Sequence, residues 1–152
     1  MHMKKILALL LLVSLLITPS IPKVSAAEAD ESVIRFSDGS YILIETVVTE
    51  SRSTSSKNAS RYYTYYDLLD NEKWKVTLSA SFTYTGSSAT CTSSNVTVGI
   101  SDSAWYIVSK SASKSTNVAS CDVTMGYKFL GITTDKKTVH LTITCDANGN
   151  LT

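Results

Sequence analysis

Trp74-Lys75-Val76-Thr77-Leu78-Ser79-Ala80-Ser81-Phe82-Thr83-Tyr84 alternates apolar and polar side chains without a break. In an extended chain successive side chains point to opposite faces, so Trp74, Val76, Leu78, Ala80, Phe82 and Tyr84 line one face of a strand. At helical spacing the same six would be scattered around the axis. Burying the larger ones contributes about 1.5–3 kcal/mol each. A slip of one residue would turn the whole set to water, so the register of this strand is strongly fixed.

The pattern recurs on both sides. Tyr41 to Ile44 with Val47 and Val48 reads as an early strand after the Asp38-Gly39 turn signal. Tyr62, Tyr63, Tyr65 and Tyr66 form another, and Asp70-Asn71 supplies turn chemistry before Trp74, so these two strands make a hairpin. Val96, Val98 and Ile100 alternate, and Trp105 to Val108 is a short apolar run. Ala119, Cys121, Val123, Met125, Tyr127 and Phe129 give a second long alternation. Val139, Leu141, Ile143 and Cys145 give a third, after a turn expected at Thr134-Asp135-Lys136-Lys137. No helical moment interrupts them. About seven or eight strands, each with one apolar face, predict an all-β fold: a two-sheet antiparallel β-sandwich, with a small β-barrel as the alternative.

The chain of 152 residues divides by composition. Lys4 and Lys5 precede an apolar run from Ile6 to Ile17, Thr18-Pro19 breaks it, and Val24-Ser25-Ala26 offers small residues for cleavage before Ala27. That order predicts a secretory signal peptide over 1–26. Residues 27–59 hold an N-terminal tail (27–32 read as loose), the first strand and a polar loop over 51–60. Residues 60–152 form the main part of a single β domain. Three of the fourteen Lys and Arg leave with 1–26, so eleven cations face thirteen carboxylates in the remainder. Such a balance carries no electrostatic footprint for nucleic acid, and no integral membrane segment is expected after cleavage. Pro19 and Pro22 also lie in the leader, leaving a Pro-free domain suited to paired strands.

Cys91, Cys121 and Cys145 follow the leader, and an exported protein can keep a disulfide. Parity turns Cys121 and Cys145 inward with their strands. Cys91 is out of phase with Val96 and Val98, which requires an irregularity near Ser93-Ser94-Asn95. Parity alone leaves the pairing open.

Taken together, Trp74–Tyr84, Gly86-Ser87-Ser88-Ala89-Thr90-Cys91-Thr92, Ser101-Asp102-Ser103-Ala104-Trp105, Phe129-Leu130-Gly131-Ile132 and Thr142-Ile143-Thr144-Cys145-Asp146-Ala147-Asn148-Gly149-Asn150-Leu151 carry a resemblance. Over most of 60–152 the chain resembles an uncharacterised family of small secreted proteins from clostridia-like Gram-positive bacteria. The resemblance implies compartment and architecture and brings no activity with it. It also implies Cys91 and Cys145 as the candidate disulfide, with Cys121 an inert buried thiol.

His140 is the single histidine after the leader and alternates with the outward threonines Thr138 and Thr142, so it reads as an exposed bystander. Asp146 to Asn150 spaces oxygen ligands before a Gly, but a calcium loop needs a Glu six residues further on, and a terminal turn is the expectation. No catalytic, cofactor-binding or metal-ligating residue is nominated, and no cofactor is expected. Tyr62, Tyr63, Tyr65 and Tyr66 are the candidate ligand-contact residues, because the two facing outward could stack on a sugar or anchor a protein. Against this stands plain cross-strand packing of the same rings. The reading is a secreted, non-enzymatic binding or surface-associated protein, its partner a glycan or protein at a cell surface. The alternatives are a small extracellular hydrolase using carboxylates, or a secreted inhibitor. Its acids show no paired spacing that would favour the hydrolase.

Overall fold

A computed structural model describes residues 29–50 and 55–152. The signal-peptide reading of 1–26 and part of the polar loop, 51–54, fall outside the described residues. Among the described residues there are eight strands: β1 (Ala29–Arg35), β2 (Tyr41–Glu50), β3 (Ser56–Tyr66), β4 (Glu72–Tyr84), β5 (Ala89–Ile100), β6 (Trp105–Ser115), β7 (Val118–Phe129) and β8 (Ile132–Thr144). They form two antiparallel meanders, a five-stranded sheet in the order β1-β2-β3-β4-β5 and a three-stranded sheet in the order β6-β7-β8. The sheets do not close on each other, so the architecture is a sandwich with open edges and not a barrel. Among the described residues, no helix is long and apolar enough to cross a membrane.

β4 lies inside the larger sheet, paired on both sides. Trp74, Val76, Leu78, Ala80 and Phe82 are buried against the smaller sheet's Ala119, Cys121, Val123, Met125, Leu141 and Ile143 in one continuous core. Tyr84, expected with them, is only half-buried: its ring lies against Gly149 near the terminal turn, with Lys57 Nζ 6.0 Å from its centre. On the opposite face Thr77, Ser79 and Ser81 are half-exposed, since neighbouring strands flank them; Ser79 Oγ, for instance, lies 3.1 Å from Ser60 Oγ.

Three expectations are corrected. The segment read as a loose tail is β1 from Ala29 onward, tied along its length to β2. Ser56–Ser60, read as loop, begins β3. The turn expected at Thr134–Lys137 falls earlier, at Leu130-Gly131, where both residues take positive φ (50° and 81°), as a two-residue hairpin connection of the primed type requires. The irregularity demanded by Cys91 is present: Ser81 pairs with Ser93 but Phe82 pairs with Cys91, leaving Thr92 extra, so both Cys91 and Val96 turn inward.

Five strands cannot be covered by three. β8 packs over β3 and β4, and β7 over β4 and β5, so β1 and β2 overhang the smaller sheet. Sheet edges exposed in this way need protection against pairing with other chains. Charged side chains sit at inward register positions beside both flanks: Arg61 on β3, and Lys110 and Lys114 on β6. Arg61 spans the gap between sheets, donating from Nε to Thr46 Oγ1 (2.9 Å) and from Nη1 to the Thr142 carbonyl (2.5 Å).

Candidate functional site

The overhang opens a groove along the β1–β2 flank. Its walls are Ile34 of β1, Phe36 just beyond it, Ile42 of β2, Tyr63 of β3, Trp74 of β4, and Lys136 to Val139 of β8. It encloses about 340 Å³, within the range of small-ligand sites. Register explains the lining. Ile34 pairs with Ile42, Ile42 with Tyr65 and Tyr65 with Trp74, so all share the inner face, while Tyr63 sits opposite Ile44 on that same face.

Behind the groove lies an aromatic cluster. Trp74 stacks between Tyr63 and Tyr65, with ring centres 6.3 and 5.2 Å away, and meets the edge of Trp105 at 5.9 Å. Phe36 meets Tyr65 edge-on at 6.4 Å. Lys137 Nζ sits 4.9 Å from the Phe36 ring centre and 5.2 Å from that of Tyr65, within cation–π reach of both. Asp135 pairs with it at 3.5 Å, and Asp38 also lies near. Trp74 is fully buried, yet its Nε1 has no hydrogen-bond partner. An unsatisfied buried donor of this kind costs about 1–3 kcal/mol. Burial pushes the Tyr63 hydroxyl up from its ordinary value, so it stays protonated at neutral pH.

The four candidate tyrosines are divided by register. Tyr63 and Tyr65 face inward, Tyr63 reaching the groove wall and Tyr65 the cluster behind it. Tyr62 and Tyr66 face outward and are half-buried. Tyr66 stacks on Tyr41 at 4.9 Å, and Lys75 Nζ lies over Tyr62 at 5.2 Å. The outward pair thus already packs across strands, and of the inward pair Tyr63 lines the groove together with Trp74, Ile34, Phe36 and Ile42 while Tyr65 backs it.

The acids are committed elsewhere. Lys73 Nζ binds Asp67 at 2.9 Å and Asp102 at 3.1 Å, joining the β3–β4 and β5–β6 turns. A β-bulge makes this possible: Tyr65 pairs with Trp74 but Tyr66 with Glu72, so Lys73 leaves the alternation. Hydrogen bonds from the Asn71 backbone and from Lys73 hold Asp67 well below the usual carboxylate range, and bonds from Ala104 and Lys73 lower Asp102. A general acid needs the opposite shift. His140 is exposed, as expected, and its Nδ1 lies 2.8 Å from Asp122 Oδ1, a partner on the neighbouring strand. Asp146 forms the expected terminal turn, its Oδ1 accepting from the backbone N–H of Asn148 and Asn150, both at 2.8 Å. Among the described residues, no group of three or more His, Cys, Asp and Glu is placed to hold a metal.

The disulfide expected between Cys91 and Cys145 is not formed in this structure: all three cysteines are buried free thiols. Burial raises each of them, which makes them poor nucleophiles. Cys91 and Cys145 hang from one turn: Cys91 N donates to the Thr116 carbonyl and Cys145 N to the Asn117 carbonyl (3.0 Å). The Cys91 thiol is near enough to contribute to the upward shift of Cys145. Cys121 pairs with Leu141 further along the smaller sheet.

Sequence reasoning passed over Ile34, Phe36, Lys136 and Lys137. The available signal was Val33-Ile34 and Phe36 leading into the Asp38-Gly39 turn, apolar residues of which the first two lie in β1 and the third follows it. In comparison with known proteins, no family model, no curated protein and no solved structure matches the chain.

Proposed function

We propose that this chain is an exported, non-enzymatic binding protein that takes its ligand in the groove beside β1 and β2. One observation carries the reading: a groove of about 340 Å³ whose wall includes a buried tryptophan with an unpartnered N–H. Aromatic and aliphatic walls with few polar groups fit ligand retention. The hydrolase alternative is disfavoured because no carboxylate lines the groove among the described residues, and Asp67 and Asp102, which converge on Lys73, are both lowered.

Export rests on the leader pattern of residues 4–26 and on the resemblance to secreted Gram-positive proteins. An oxidising exterior also lets Cys91 and Cys145 close as the disulfide, since the Thr116-Asn117 turn holds both backbones. Expressed with its leader in a Gram-positive host, the protein should be recovered outside the membrane beginning at Ala27 or within a residue or two. Finding the uncleaved chain stably in the membrane would contradict this.

The binding reading is tested with residues 27–152 on a glycan array and in pull-downs, comparing the native domain with Ile34→Trp. Ile34 is 45% exposed on an edge strand, so a larger ring there fills the groove without disturbing the core. Ligands held by the native domain should be lost by the variant. Equal capture by both would remove the groove as the site.

A further inference from the structure

We infer that the groove selects a small apolar ring bearing a carboxylate, the ring lying along Phe36, Ile42 and Tyr63 and the anion facing Lys137. The inference rests on the groove being the binding site, and it adds the chemical class of the ligand.

Three features of the walls point the same way. The first is shape and polarity. Ile34, Phe36, Ile42 and Val139 offer alkyl and aromatic surface, and the neutral polar side chains beside them are few: Tyr63 and the indole of Trp74, since the Thr138 hydroxyl meets Thr124 on the outer face. A sugar would leave most of its hydroxyls without partners there, which disfavours it against a ring with a hydrophobic face. The second is charge. Lys137 stands at an inward position on the β8 wall, opposite the buried Met125, and no carboxylate belongs to the lining among the described residues. Lys137 holds its ammonium over the rings of Phe36 and Tyr65, beside the apolar wall and not out in bulk water. Two acids lie near it: Asp135 at 3.5 Å, with a half-exposed side chain, and Asp38, whose Oδ1 already accepts from Ser40 N at 2.9 Å and Ser40 Oγ at 2.6 Å. An ammonium carries three donors, so a ligand anion can be accepted alongside these neighbours. The third is the orphaned indole N–H of Trp74, a donor in a wall residue that lacks an acceptor. A carboxylate has acceptor capacity for the ammonium and for this N–H together, while a neutral apolar ligand would leave the N–H unsatisfied. The two sides also differ in mobility: β1 is an edge strand, so the Ile34 wall can adjust, whereas Trp74 is locked among three rings.

The test uses the domain 27–152 and three probes matched in size: phenylacetate, its neutral isostere phenylacetamide, and glucuronate, a ring carboxylate with a polar face. Calorimetry gives the affinities, and Trp74 and Trp105 fluorescence reports on the cluster. Phenylacetate should bind at least about tenfold tighter than the amide, the usual scale for one charged hydrogen bond. Added salt should narrow that gap. Lys137→Gln should weaken phenylacetate about tenfold and leave the amide unchanged. Because the Lys137 stem also packs on rings, Lys137→Arg, which keeps both stem and charge, serves as the second variant; it should retain most of the acid binding with an unchanged melting curve, and loss equal to that of Lys137→Gln would overturn the role of the charge. Trp74→Phe, which removes the N–H and keeps a ring, should cost acid binding more than amide binding. Equal affinity for acid and amide, with both lost in Ile34→Trp, overturns the carboxylate inference and leaves the groove as a binding site. Glucuronate binding tighter than phenylacetate overturns the apolar ring, and no binding of any probe overturns the ligand class. Phenylacetate binding that survives Ile34→Trp overturns the groove itself.

Discussion

Phe82→Ala is the sharpest probe of the two-layer core. Phe82 has no exposed surface and stands on β4, between Lys57 of β3 and Cys91 of β5 in register. A buried Phe removes about 150–250 Å² from water. At about 25 cal/mol per Å², and with the β-carbon retained, truncation forfeits about 3–5 kcal/mol, the range measured for large-to-small changes in well-packed cores. Relaxation is limited on this face, because Trp74, Val76 and Leu78 on the same strand are also without exposed surface. The control is Ser81→Ala one residue earlier, on the opposite face and half-exposed. The Ser81 carbonyl accepts from Thr92 Oγ1, and the substitution leaves that carbonyl in place. It should cost within about 0.5 kcal/mol. Urea titration followed by tryptophan fluorescence reads both. With a slope of about 1.5–2 kcal/mol per molar, Phe82→Ala should lower the midpoint by roughly 2 M and Ser81→Ala by less than about 0.3 M. Comparable losses would mean that the outer face of β4 is covered as fully as the inner one, and the sandwich reasoning would fall.

Three further outcomes are expected. Gly126→Ala puts a methyl group 2.6 Å from the ring of Tyr106, its cross-strand partner, and should cost about 1–3 kcal/mol as the ring swings away and loses its 2.7 Å contact with Thr133 Oγ1; Gly99→Ala, with open space at the same point, should be neutral or stabilising by about 0.4–1 kcal/mol in the same denaturation assay. Asp67, Asp102 and Asp146 titrate below their ordinary value, so their contribution is complete above about pH 4 and lost as the pH falls through their lowered values, while that of Lys73, which is raised, persists until about pH 10.5 and is lost above it; the stability difference between native protein and Asp67→Asn should therefore be flat through neutral pH and shrink below pH 4. Non-reducing peptide mapping of the exported protein should link the Cys91 and Cys145 fragments, with Cys91→Ser costing about 2–5 kcal/mol and Cys121→Ser about 1–3 kcal/mol; a Cys121–Cys145 fragment would refute the pairing.

The sequence was most readable where one face of a strand is buried and the other is not. Trp74 to Phe82, Ala119 to Met125 and Val139 to Ile143 alternate in sequence and alternate in burial. The phase shift at Cys91 even placed a bulge within a residue or so, because inward residues an odd number apart cannot otherwise share a face. Legibility failed where both faces meet water. β6 is exposed from Ile107 to Ser115, and the first half of β8 is exposed through Lys136, so neither segment shows the period that burial writes into a strand. There Ser, Lys and Thr give no alternation to follow, and a turn was expected inside β8.

The groove was hidden for a different reason. Periodicity reports which way a side chain faces; it is silent on how many strands each sheet will hold. That number is set where the chain crosses from one sheet to the other, here at Ser101 to Ala104. This connection is as short as a hairpin turn and just as polar. It differs in what it holds: the Lys73 carbonyl accepts from both Ser101 N and Asp102 N, and Asp102 returns a carboxylate to Lys73, so the chain is carried across to the other layer instead of folding back beside β5. Crossing after the fifth strand leaves three for the second layer and two without a cover. Tyr63 and Trp74 therefore meet a groove at their outer margin, although their sequence pattern is that of any core residue. A binding site made by unequal layers is a property of topology, and it becomes visible only after the strands have been assigned to their sheets.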